Sequence, residues 1–140
     1  APQIAGLAAP AARPGSATLK QRLSTIAGFD VSAGLRTVNG SEAALTRVLR
    51  TFASTYRRGV ADLLNTAAPD QIQRWRITCH SLRGASAAIG AAQLVRQIEE
   101  LEAALRAPPD AALLQRLGER LHQAVLLLVS RLEAELPAAP

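Results

Sequence analysis

The sequence predicts an all-α protein, an antiparallel four-helix bundle with one or two short helices in front of it. Three observations carry that prediction. Of the 140 residues, 49% are hydrophobic but only 3% are aromatic, and Met is absent. The apolar content is therefore largely Ala, Leu and Val, which favours packed helices over an aromatic-rich sheet. Apolar residues recur at steps of three and four through four long stretches, and no stretch shows the period-two alternation of a half-buried strand. The length suits one domain with a real core rather than two.

Residues 1–18 are rich in Ala, Pro and Gly, lack a hydrophobic period and read as a flexible linker. The folded domain is expected over 19–140, with its bundle core at about 41–136. Leu19, Leu23 and Ile26 mark a short amphipathic turn that Gly28 ends. Asp30 can cap a short helix over 31–38, and Asn39-Gly40 stops it. Ser41 offers the cap for a long helix to about residue 67, with Leu45, Val48, Leu49, Phe52, Tyr56, Val60, Leu63 and Leu64 on its apolar side. Pro69 and Asp70 suit the first turn of the next helix, which runs to about residue 89. Its stripe is Ile72, Trp75, Cys79, Leu82, Ser86 and Ile89. After Gly90 a helix to about residue 106 presents Leu94, Ile98, Leu101 and Leu105. Pro108-Pro109 ends it. Asp110 caps the last helix, which carries Leu114, Leu117, Leu121, Val125, Leu128 and Leu132 and stops before Pro137. Leu126 and Leu127 widen its apolar side.

Composition excludes several classes. One cysteine, Cys79, cannot form an intramolecular disulfide, so a disulfide-stapled secreted domain is out. Cys79 with the two histidines, His80 and His122, falls short of an ordinary four-ligand structural zinc site. The longest strongly apolar run, 124–129, is far below the roughly 20 residues of a spanning helix. The start of the chain shows neither Met nor a signal-peptide pattern and reads as a piece of a longer protein. The net charge of +5 overstates the basicity of the folded part, because Arg13, Lys20 and Arg22 precede residue 28 and all 11 acids follow it. The arginines are spread along the chain without interleaved aromatics, so nucleic-acid binding by a basic bundle is the weaker reading.

His80 follows Cys79 by 100° of helical rotation and so leaves the core stripe. Around it stand Arg76, Arg83, Gly84 and Ala87. A lone exposed histidine is ordinary surface, but Gly84 changes that weighing. It sits one turn after His80, mid-helix, where Gly costs about 1 kcal/mol relative to Ala. The chain uses Ala freely nearby, at Ala85, Ala87 and Ala88. A cleared patch of helix beside an imidazole suggests that another surface comes close there. Arg83 adds a forked donor suited to phosphate oxygens. His122 lies in no motif and reads as a surface histidine. Cys79 reads as a small core residue, and Trp75, Phe52 and Tyr56 as packing. Glu99, Glu100 and Glu102 read as a solvated acidic run, Glu102 alone having a possible role at the histidine.

The stretch His80-Ser81-Leu82-Arg83-Gly84-Ala85-Ser86-Ala87-Ala88-Ile89-Gly90-Ala91 resembles the signature of histidine phosphotransfer (HPt) domains: His-x-Leu-Lys-Gly, small residues, then an aliphatic residue and Gly. The resemblance continues at Phe29-Asp30, Gly34-Leu35, Asn39-Gly40, Leu49-x-x-Phe52-x-x-x-Tyr56, Leu94 and Leu101-Glu102, spanning about 29–135. The usual Lys is Arg83 here, and some members place a Gln at the position of Glu102. The resemblance implies a four-helix bundle in which His80 takes a phosphoryl group from a receiver-domain aspartate and passes it to another receiver. Arg83 would supply charge to the phosphate. Glu102 would accept from Nδ1–H of His80, leaving Nε2 as the nucleophile. Arg76, Gly84 and Ala87 would face the docked receiver. The expected cofactor is Mg²⁺ supplied by the receiver, with none bound by this chain. The domain would be a phospho-carrier without an ATP site, since 84–90 lacks P-loop spacing. The resemblance further suggests a cytoplasmic, monomeric module at the C-terminus of a bacterial hybrid sensor kinase, a parent protein that would be anchored in the inner membrane. Its receivers would lie in the same chain or in separate proteins. A non-catalytic receiver-binding module of the same fold is the alternative.

Overall fold

The computed structural model describes residues 18–65 and 69–137. The linker expected over 1–18 lies outside them except for Thr18. The described residues are helical, without strands. The elements are α1 (Leu19–Leu23), α2 (Val31–Thr37), α3 (Glu42–Thr55), a 3₁₀ turn (Ala61–Leu64), α4 (Pro69–Ile89), α5 (Ala92–Arg106) and α6 (Ala111–Glu135). The four-helix bundle expected from periodicity is α3 to α6.

Each cap has a local cause. Thr18 and Gln21 close a reciprocal capping box on α1. Asp30, Ser41 and Asp110 accept from the backbone N–H groups of Ala33, Ala44 and Leu113, which starts α2, α3 and α6. Asn39 and Gly40 both take positive φ, 54° and 80°, and end the α2 segment as expected.

Cross-helix partners give the antiparallel register. Along α4, Arg76 reaches the carbonyl of Leu105 near the end of α5, while Arg83 reaches Glu99 and Glu102 further back. Along α3 and its exit, Arg50 donates to the carbonyl of Pro137 and Arg57 pairs with Glu133. The core between the helices holds Leu45, Leu49, Trp75, Leu82, Ile98, Leu101, Leu121 and Leu132, all essentially inaccessible. On α6, Val129 is fully buried and Leu128 only partly, while Leu127 stands exposed.

The short N-terminal helices are pinned to the α4–α5 corner by backbone contacts. Asp30 N–H donates to the carbonyl of Gly90 at 2.6 Å, and Gln93 N–H to that of Gly28 at 3.0 Å. Thr37 Oγ1 donates to the carbonyl of Ala88 at 2.7 Å. Gly90 has φ +87°, and a Cβ there would collide with the Asp30 carbonyl. Only glycine allows both the turn and the close approach.

One expectation fails. The helix predicted from Ser41 to about residue 67 stops at Thr55, with Tyr56 as its C-cap. The apolar period misled because Val60 and Leu63 are indeed buried, but on a turn rather than a helix. Gly59 adopts φ +75°. Val60 N–H, which a continued helix would direct at Tyr56, instead donates to Nδ1 of His122 at 3.0 Å.

Candidate functional site

His80 stands in the middle of α4 and is exposed, while its neighbours Cys79 and Leu82 are fully buried. The core stripe therefore orients the helix so that the imidazole points to solvent. Gly84, one turn on, is exposed, and a Cβ built there meets nothing within 4 Å. Internal packing gives no reason for glycine at this place. Ala87 continues the exposed, small-residue patch.

Arg83 lies beside this patch and leans to α5. Its Nε is 3.4 Å from Glu102 Oε1 and its Nη1 is 3.9 Å from Glu99 Oε2. Glu102 was the acceptor expected for His80. In the structure its carboxylate is engaged by Arg83, and no described residue hydrogen-bonds the imidazole. The physical reason is charge: the Arg83 guanidinium on the facing flank draws the carboxylate into a charge-assisted contact. Arg76 is exposed, and its Nη2 donates to the Leu105 carbonyl at 3.1 Å, a favourable place for a cation at the end of α5. Of the six residues singled out beforehand, the fold thus gathers His80, Gly84 and Ala87 on one open face. Arg83 with Glu102 forms its α5 flank, and Arg76 is drawn to the end of α5.

Cys79 lies beneath this face. Burial, reinforced by the Glu102 charge, pushes its thiol up to about 12, so it stays protonated and inert at neutral pH. Burial also raises the Tyr56 phenol above its usual value.

The sequence reading missed two residues. Ile77 is 58% exposed, three positions before His80 and therefore its neighbour on the helix surface. The signal was present, since Ile77 falls off the Trp75–Cys79 stripe. His122 is the correction. It is not a surface histidine but 8% exposed, seated under the positive-φ Gly59 and bonded to Val60 N–H. Only the fold brings residues 60 and 122 together, so no sequence spacing could reveal it.

The Hpt domain family model matches residues 45–136, which contain α4 with its histidine and all of α5 and α6. The chain belongs to the Hpt domain family. Searches of curated proteins and of solved structures give no match. Hpt domains carry out histidine phosphotransfer in phosphorelays and interact with response-regulator receiver domains. Among the described residues, no helix is long and apolar enough to cross a membrane.

Proposed function

We propose that His80 of this Hpt domain is the phosphorylated residue and that it shuttles a phosphoryl group between receiver domains. The observation that carries the reading is an imidazole held exposed at mid-helix beside the open surface of Gly84. In the forward step the Nε2 lone pair attacks phosphorus. The N–P bond forms as the P–O bond to the receiver aspartate breaks, and the carboxylate leaves with the electron pair. Nδ1 keeps its proton. Transfer onward reverses these events on a second aspartate.

The chain's own residues position and neutralise. α4 presents the imidazole, and Gly84 and Ala87 permit close approach. Arg83 can turn from Glu102 to the phosphoryl oxygens without leaving its place on the helix, since it is nearly half exposed. The receiver supplies Mg²⁺ and its acidic pocket. We place the domain in the cytoplasm as a module of a bacterial hybrid sensor kinase; the linker-like composition of residues 1–18 supports its attachment to a further domain.

The test is direct. The protein is incubated with receiver domains charged by radiolabelled acetyl phosphate. Label should pass to the unaltered chain, be acid-labile and alkali-stable, and vanish in His80→Gln. Label that survives this substitution overturns the assignment.

A further inference from the structure

His122 is a buried polar side chain that the transfer chemistry leaves unused. Its Nδ1 accepts from Val60 N–H, and its ring fills the space where Gly59 has no side chain. One turn earlier on α6, Gly118 makes room for the Leu63 carbonyl and the Trp75 ring. The segment from Gly59 to Leu63 is thus hydrogen-bonded to α6 at one point and packed closely on it at another. Its other side faces α4, where Thr78 Oγ1 donates to Asp62 Oδ2 in a long 3.5 Å hydrogen bond. Between the two elements lies a shallow cleft of about 400 Å³, lined on the α4 side by Ile77, Thr78 and Ser81.

The place of this cleft determines what covers it. Ser81 adjoins His80 in the chain, and Ile77 precedes it by less than one turn of about 5.4 Å. A partner that brings an aspartyl phosphate to His80 Nε2 covers about 800 Å² around it if the interface is of standard size. Ile77 and Ser81, the α4 neighbours of His80, fall within such a footprint, and the segment facing them across the cleft forms its edge. The 58% exposed Ile77 is the kind of apolar anchor that a partner desolvates.

We infer that His122 is a positioning residue for receiver recognition: it holds the Gly59–Asp62 segment as one wall of a docking cleft beside His80. This rests on the proposed transfer to and from receivers. The imidazole is suited to the task because its neutral form offers an acceptor at Nδ1 for a buried N–H, which otherwise loses its partner.

The experiment measures transfer from a charged receiver, one selected because it phosphorylates the unaltered chain, as a function of receiver concentration. In His122→Phe the half-saturating concentration should rise roughly five- to tenfold, the effect of freeing one buried N–H. The rate at saturation, and labelling by phosphoramidate, a donor too small to need the cleft, should not change. His122→Asn, whose Oδ1 can replace Nδ1 as acceptor, should restore half-saturation to within about twofold. Ala61→Glu, an exposed change on the same wall, should raise half-saturation without lowering the melting temperature. An unchanged half-saturation in both His122→Phe and Ala61→Glu overturns the inference, as does an equal loss of phosphoramidate labelling in His122→Phe. An unaltered chain that takes label from neither donor overturns the transfer reading itself.

Discussion

Gly84 is a glycine that the packing of its own fold does not require. It is exposed in the middle of α4, has φ outside the left-handed region and meets nothing where a Cβ would stand. Gly84→Ala should therefore stabilise the domain by about 1 kcal/mol, a rise of roughly 4 °C in melting temperature. Gly84→Gln should keep most of that gain yet slow transfer from a charged receiver by about tenfold, the scale of overpacking a close contact. A melting temperature that drops in Gly84→Ala would show that the glycine serves the fold instead. One position before His80, on the buried side of α4, Cys79 makes the opposite case. Its thiol is buried and its pKa is raised to about 12, so alkylation by iodoacetamide at pH 8 should require unfolding. Mass spectrometry before and after denaturant checks this. The open face was legible at this scale: His80, Gly84 and Ala87 could be placed together from 100° steps alone. Glu102 was not, because its choice of Arg83 depends on where α5 lies against α4.

Helix boundaries divide into those with local causes and those without. Asp30, Ser41 and Asp110 accept bonds from N–H groups three residues on, so α2, α3 and α6 begin where the chain says they do. The exit from α3 has its decisive partner 62 residues away, in the bond from Val60 to His122. Periodicity alone carried the helix too far because Val60 and Leu63 do reach the core. The α4–α5 corner is a tight joint, with Gly90 pressed on Asp30 and Gly34. Gly90→Ala should cost about 3 kcal/mol through both φ strain and collision, as measured by urea denaturation. Transfer per folded molecule should fall less than stability does, since His80 lies about three turns back along α4.

For the whole molecule, burial makes stability depend on alkaline pH. The Cys79 thiol has an ordinary value of 9.0 and is pushed to about 12 in the fold. Above pH 9 the unfolded chain gives up this proton while the folded chain keeps it, so the unfolded state binds fewer protons and stability falls as pH rises. The contribution is complete below 9.0 and is lost progressively toward about 12, and the raised Tyr56 phenol acts in the same direction. Urea melts between pH 8 and 11 should show a steady loss that is flatter in Cys79→Ala. An equal slope in the two proteins would show that the thiol is not the source. At this scale the sequence by itself determined the all-α class, the four amphipathic stretches and the open face around His80. These follow from residue spacing on a single helix, where 3.6 residues per turn assigns every side chain a side. Tertiary structure alone decided where α3 ends, why His122 is buried, and which partner Glu102 takes. Each of those turns on one polar group meeting another from a different helix, and no local spacing encodes which helices will face each other.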